Sequence, residues 1–196
     1  MQQEQIQKLF THLEEIITWR INNASENFDE APKFKANDYE DFQFGNYISK
    51  KKLSYQEVVI LLMALQPRLD PSLLKRIYLD FPNSSLFDFC ALNDNGRLFY
   101  PTVQVVQYIL GGENISERLK SLDYFGSDSV LVKEELIVFS GSVQDQTSMS
   151  SQISIHQEAF NKIMFGVELL PKMSNDFPAE QIKTDRSWSD LILPQT

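Results

Sequence analysis

The chain is short of the residue types from which most catalytic and metal sites are built. Its 196 residues include one cysteine, Cys90, and two histidines, His12 and His156. A single cysteine excludes an intrachain disulfide, leaves a thiolate zinc site without companions and fits a reducing cytosol. Its apolar context, "FDFCAL", reads as a buried structural thiol rather than a nucleophile. Neither histidine belongs to an H-E-x-x-H motif or has a second ligand at metal-binding spacing. His12 falls off the apolar stripe of its helix and reads as a surface residue. His156 falls where a strand hands over to a helix, a capping or packing position. Glycine numbers only seven, and none is followed by lysine, so the G-x-x-x-x-G-K-[ST] phosphate loop is missing and ATP hydrolysis by that route is excluded.

Positive charge is also scarce. With 18 basic against 27 acidic residues the net charge is −9, which opposes unspecific attraction to nucleic acid or anionic lipid. The longest apolar run, "VVILLMAL" from Val58 to Leu65, is too short to span a bilayer, and "MQQEQIQKLF" lacks the regions of a signal peptide. These features predict a cytoplasmic, water-soluble protein with no membrane association. The phrase "NDNG" begins like a calcium loop, but that pattern would put Ala91 at the first aspartate and Thr102 at the bidentate glutamate. The acidic neighbours Glu14-Glu15 and Glu134-Glu135 diverge on a helix and face opposite sides of a strand, so a solvated face explains them better than a catalytic pair. No catalytic, cofactor-binding or metal residues are assigned.

What is present is helical patterning. Ile6, Leu9, Phe10, Leu13, Ile16, Ile17 and Ile21 recur at spacings of three and four, one stripe of an amphipathic first helix. The stretch "ENFDEAPKFKANDYEDFQFGNYISKKK" keeps no period and reads as an ordered acidic connector pinned by Phe34, Tyr39, Phe42, Phe44 and Tyr47. Ser54 and Glu57 then form a capping box that opens a central helix, expected to end near Gln66 because Pro67 disfavours helical geometry before it. Asp70 as N-cap with Pro71 at the first helical position predicts a third helix near residues 71–80.

Asn95-Gly96 between apolar flanks signals a hairpin or tight turn, the turn being clearer than the strands. "PTVQVVQYILGG" is ambiguous: its β-branched residues favour a strand, whereas Val103, Val106 and Leu110 share a helical face and Gly111 offers a stop; helix is preferred. Asn114 and Glu117 predict a short helix near 115–124. "ELIVFSGS" and "SQISIHQ" read as an antiparallel hairpin with a long polar tip, and "HQEAFNKIMFG" as a helix ending at Gly166. Helices followed by a two-stranded wing predict a mostly helical α+β fold. It consists of a winged-helix-like domain over 49–170, preceded by the N-terminal helix and connector of 1–48 and followed by an extended tail over 171–196.

The segments "LLMALQPRLDPSLLKRIY", "GRLFYPTVQVVQYILGG" and above all "FPAEQIKTDRSWSDLILP" resemble the N-terminal region of a group of bacterial AAA+ ATPases, many of them encoded beside contractile injection systems, notably in Bacteroidetes. The resemblance covers residues 50–196 in scattered motifs. It implies a winged-helix-like region ahead of the ATPase module, with Trp188, Asp190, Leu191, Ile192 and Leu193 at the joint leading into it. It also implies that the Walker motifs, sensors and arginine finger lie beyond Thr196, so no ATPase residue is carried over. Large apolar side chains so close to a terminus call for a docking surface, in cis or on another domain.

The expected function is therefore that of a non-catalytic N-terminal domain that recruits a protein substrate or adaptor for an AAA+ motor held in cis. The surfaces favoured are the wing tip, Val143 to Ser151, and the exposed face of the first helix. The alternative is a self-contained winged-helix regulatory module that binds a protein or nucleic acid. Nucleic acid would require a basic face assembled from residues such as Lys50, Lys51, Lys52, Arg76, Lys120 and Lys133, because Thr102 to Gly111, the candidate recognition helix, contains no Lys or Arg.

Overall fold

The computed structural model describes residues 2–34, 42–92, 95–140 and 149–167. They form a mostly helical α+β structure with two small antiparallel sheets. Helix α1, Gln2–Asn22, buries Leu9, Leu13, Ile16 and Ile17 on the stripe read from the sequence and lays it against α3, Tyr55–Leu69. His12 departs from expectation. It is not a surface residue: its side chain is only 17% exposed, its ring lies 4.3 Å from that of Phe34, and Nδ1 pairs with Glu15 Oε2 at 3.0 Å.

The connector also needs correction, because it contains helix α2, Gln43–Lys51. Phe44, Tyr47 and Ile48 share one helical face and are buried, but Gly45 and the polar residues between them hid the period. Tertiary contact with α8, Gln157–Phe165, gives this short amphipathic stretch the partner it needs to stay helical.

Helix α3 starts with both halves of the Ser54–Glu57 capping box in place. It does not stop at Gln66: it passes through Pro67 to Leu69. Every residue from Val58 to Gln66 is buried, so packing holds the helical axis and overrides the local preference of the residue before proline. At the end, the backbone N–H of Asp70 donates to Gln66 O at 3.0 Å and Gln66 Nε2 donates to Asp70 O at 2.7 Å. Helix α4, Leu73–Asp80, begins two residues later than Pro71, with Leu73 N–H donating to Asp70 O.

Strands β1, Ala91–Leu92, and β2, Phe99–Tyr100, pair antiparallel around the Asn95-Gly96 signal, so the turn is flanked by true if minimal strands. The ambiguous stretch after Pro101 is helix α5, Val103–Gly111, capped by Thr102 Oγ1, which accepts from Val105 N–H. It is buried on nearly all sides, which explains why β-branched content did not decide its conformation. Helix α6, Ile115–Lys120, continues into a 3-10 turn at Ser121–Phe125, and a short helix α7, Val130–Lys133, not foreseen from sequence, precedes the sheet.

Strands β3, Ile137–Ser140, and β4, Gln152–Ile155, form the expected antiparallel ribbon, with Ile137 opposite Ile155 and Ser140 opposite Gln152. The segment before α5 adds to its edge: Thr102 bridges Gln152, and Ile153 N–H donates to Pro101 O at 2.9 Å. Helix α8 ends at Gly166 in the left-handed conformation, as read. One hydrophobic core runs from α1 through α3 and α5 to β4 and α8. Among the described residues no helix is long and apolar enough to cross a membrane.

Candidate functional site

Helices α5 and α6 are joined by the three residues 112–114, and their close crossing depends on two glycines. A Cβ at Gly111 would fall 2.6 Å from Arg118 N, so only glycine lets the two backbones approach. Gly112 has φ of +55°, and a Cβ there would stand 1.9 Å from the carbonyl oxygen of Ala24. Asn114 Oδ1 accepts from Ser116 and Glu117 N–H, starting α6 as the sequence predicted. The reciprocal half of a capping box is replaced by a Glu117–Lys120 pair at 2.7 Å.

Arg20, which the sequence reading passed over, locks this corner. It is fully buried at the end of α1, and its Nε donates to Ile109 O at 2.8 Å. Its Nη1 donates to Asn23 O at 2.9 Å and Glu26 O at 2.7 Å, and Nη2 reaches Leu110 O at 3.4 Å. The guanidinium also stacks 4.7 Å from the Trp19 ring. One cation thus satisfies carbonyls at the C-terminal ends of both α1 and α5, where helix dipoles favour positive charge. Burial lowers its pKa, but arginine remains charged at neutral pH. Glu113 N–H donates to Ala24 O at 2.8 Å, and Ser25 Oγ donates to Glu113 Oε2 at 3.1 Å, completing the joint.

Held in this way, α6 has no buried residue. Ile115 is 73% exposed and Leu119, one turn later, 59%. Arg118 turns back onto the Phe89 and Tyr108 rings, 5.0 and 5.6 Å away, so it does not project as a free cation. The spacing Ile115, Leu119, Leu122 was the sequence signal that could have marked this face. Beside it lies a hollow of about 310 Å³ shared by Phe28, Asp29, Gln56, Glu117, Lys120 and Tyr124.

A second hollow region lies between α2 and α8. One part, about 490 Å³, is lined by Gln43, Asn46, Lys50 and Lys51, and the other, about 270 Å³, by Glu134, Glu135, His156 and Glu158, with Tyr47 and Lys162 common to both. One ion pair lies here, with Lys51 Nζ 2.6 Å from Glu134 Oε1, and burial together with Glu134 pushes the Tyr47 phenol up to about 12. Two residues with side chains adopt the left-handed region, Lys52 with φ +53° at the end of α2 and Glu135 with φ +52° just after α7.

The remaining residues singled out from sequence are dispersed. Burial pushes the Cys90 thiol up to about 12, in keeping with a structural role. His156 occupies the N-cap position of α8 and contributes its backbone, whose N–H donates to Leu136 O; its side chain makes no capping bond. Among the described residues no group of three or more His, Cys, Asp or Glu could hold a metal ion. Of the basic residues considered for nucleic acid, Lys51, Arg76 and Lys120 are each paired with a carboxylate, on three different helices. The α5 segment weighed as a recognition helix is the buried first helix of its pair, so it cannot enter a groove. Most of the wing tip, residues 143–148, lies outside the described residues, as do Trp188, Asp190, Leu191, Ile192 and Leu193. Comparison with protein-family models, curated proteins and solved structures gave no match.

Proposed function

We infer that this chain is a winged-helix-like, non-catalytic recruiting domain that uses α6 to hold a protein substrate or adaptor. The order of a short edge segment at Thr102, two helices joined by a three-residue turn, and the β3–β4 ribbon supports the winged-helix reading. The observation that carries the functional reading is the face of α6. The second helix of such a pair projects from the fold, and here it offers Ile115 and Leu119 to solvent while both its cations are engaged. An apolar pair in that place suits burial against protein; a reader of DNA needs free Lys and Arg there.

The motor served is an AAA+ ATPase in cis, on the strength of the motif resemblance, and the work is cytoplasmic. The coding sequence after the Thr196 codon tests that part: a G-x-x-x-x-G-K-[ST] motif is expected in the same reading frame. The recruiting role is tested by placing a photoreactive amino acid at position 115 in source cells, with position 133 as a control. A discrete protein adduct from 115 and none from 133 is expected; equal labelling from both positions would refute the assignment of α6.

A further inference from the structure

Resting on that reading, we propose that the partner segment docked on α6 is a basic amphipathic helix, with Lys or Arg flanking a Leu- or Ile-rich stripe. The apolar half of the inference is the Ile115–Leu119 pair, spaced to accept one face of a partner helix. The basic half comes from what surrounds it. Exposed Glu26, Asp29, Asp88, Glu113 and Asp123 lie on the segments that adjoin α6. The Ser25–Glu113 hydrogen bond fastens the loop holding Glu26 beside the start of α6, and the 310 Å³ hollow brings Asp29 next to Glu117 and Lys120. Arg118 rests on Phe89, the neighbour of Asp88, and Asp123 follows in the turn after α6.

The cations within this set are already occupied. Lys120 is held by Glu117 at 2.7 Å, and Arg118 is spread over two aromatic rings. Lys33 reaches Asp29 only at 3.8 Å across the surface. The patch therefore keeps an acidic rim around an apolar centre, and its complement is apolar in the middle and basic at the edge. An acidic or neutral helix would bury the same two side chains but meet like charge or none at the rim, which separates it from the proposed partner in affinity and in association rate.

The experiment titrates the full chain with three fluorescent probes: a synthetic Leu/Lys amphipathic peptide, the same peptide with Glu in place of Lys, and a short duplex DNA. The Leu/Lys peptide is expected to bind, more weakly as salt rises, and to lose about tenfold in affinity on I115S/L119S. A similar loss is expected on D29K/D123K, and the Leu/Glu peptide should bind at least about tenfold more weakly than the Leu/Lys one. All four substitutions are at exposed positions, and either double variant suffices if the other unfolds. No binding, equal binding of the two peptides, binding indifferent to I115S/L119S, or preference for the duplex would each overturn the proposal. The photoadduct at position 115 separates the two levels: a protein adduct without peptide binding removes only the basic helix, and loss of both removes the recruiting surface as well.

Discussion

Replacing Arg20 by methionine keeps an unbranched side chain but removes the charge and every donor. The carbonyls of Ile109 and Leu110, at the end of α5, then have no partner from α1, and Glu26 O loses its 2.7 Å bond. A buried acceptor left unsatisfied costs about 1–3 kcal/mol, with the two α5 carbonyls at the full rate and Glu26 O, in an exposed loop, able to turn to water. Apolar packing of the new side chain returns part of this, giving an expected net loss of about 3–4 kcal/mol. That is a large share of the about 5–15 kcal/mol by which a domain is stable. Arg20→Lys should fall between, because one ammonium cannot occupy the positions filled by Nε, Nη1 and Nη2 together. Urea unfolding followed by far-UV circular dichroism measures both variants. If R20M unfolded within about 1 kcal/mol of the parent, the role given to Arg20 at this corner would be wrong.

Gly112→Ala forces a Cβ against Ala24 O at a positive φ, so a loss of about 3 kcal/mol is expected in the same urea titration, and a silent substitution would contradict the close approach. Glu135→Gly relieves a left-handed φ of +52° at the end of α7 and should raise stability by about 0.5–1 kcal/mol, seen as a higher Tm. The Arg76 guanidinium donates to both oxygens of Asp70, at 2.9 and 2.7 Å, and holds this carboxyl below its usual range. A depressed folded-state value stabilises above the unfolded pKa of about 3.9 and is lost as pH falls through the lower folded value. Asp70→Asn should therefore flatten the acid limb of the Tm-against-pH curve below about pH 4 and leave its shape near neutrality unchanged.

Much of the architecture was legible because several signals agreed. The stripe of α1, the Ser54–Glu57 box and the alternating β3–β4 segments each joined a period to a cap or turn, and each formed where expected. The misses share a cause, in that packing outweighed a local cue. Gly45 and flanking polar residues masked the Phe44–Tyr47–Ile48 face of α2, and burial of α3 carried the helix through Pro67. His12 was assigned to the surface from its place off the stripe, yet Phe34 of a following segment covers it.

The site was less legible than the fold. Sequence favoured the wing tip and the exposed face of the first helix as partner surfaces and the tail residues as a joint; most of the wing tip and all of those tail residues lie outside the described residues, and α6 was not singled out. Ile115 and Leu119 were not singled out, because apolar residues four apart on a short helix do not show from sequence whether they face core or solvent; both are exposed on α6, beyond the Gly111–Gly112 crossing. Arg20 was passed over because the partners that join α1 to α5 are backbone carbonyls 89 and 90 residues away in sequence.

The most direct measurement of the central claim is the chemical nature of what lies against α6 in the cell. Crosslinking from position 115, followed by separate protease and nuclease digestion of the adduct, reads it in one step. The account predicts a protein adduct that resists nuclease and disappears when Leu119 is changed to Ser. An adduct carrying nucleic acid, or a protein adduct indifferent to Leu119→Ser, would contradict it.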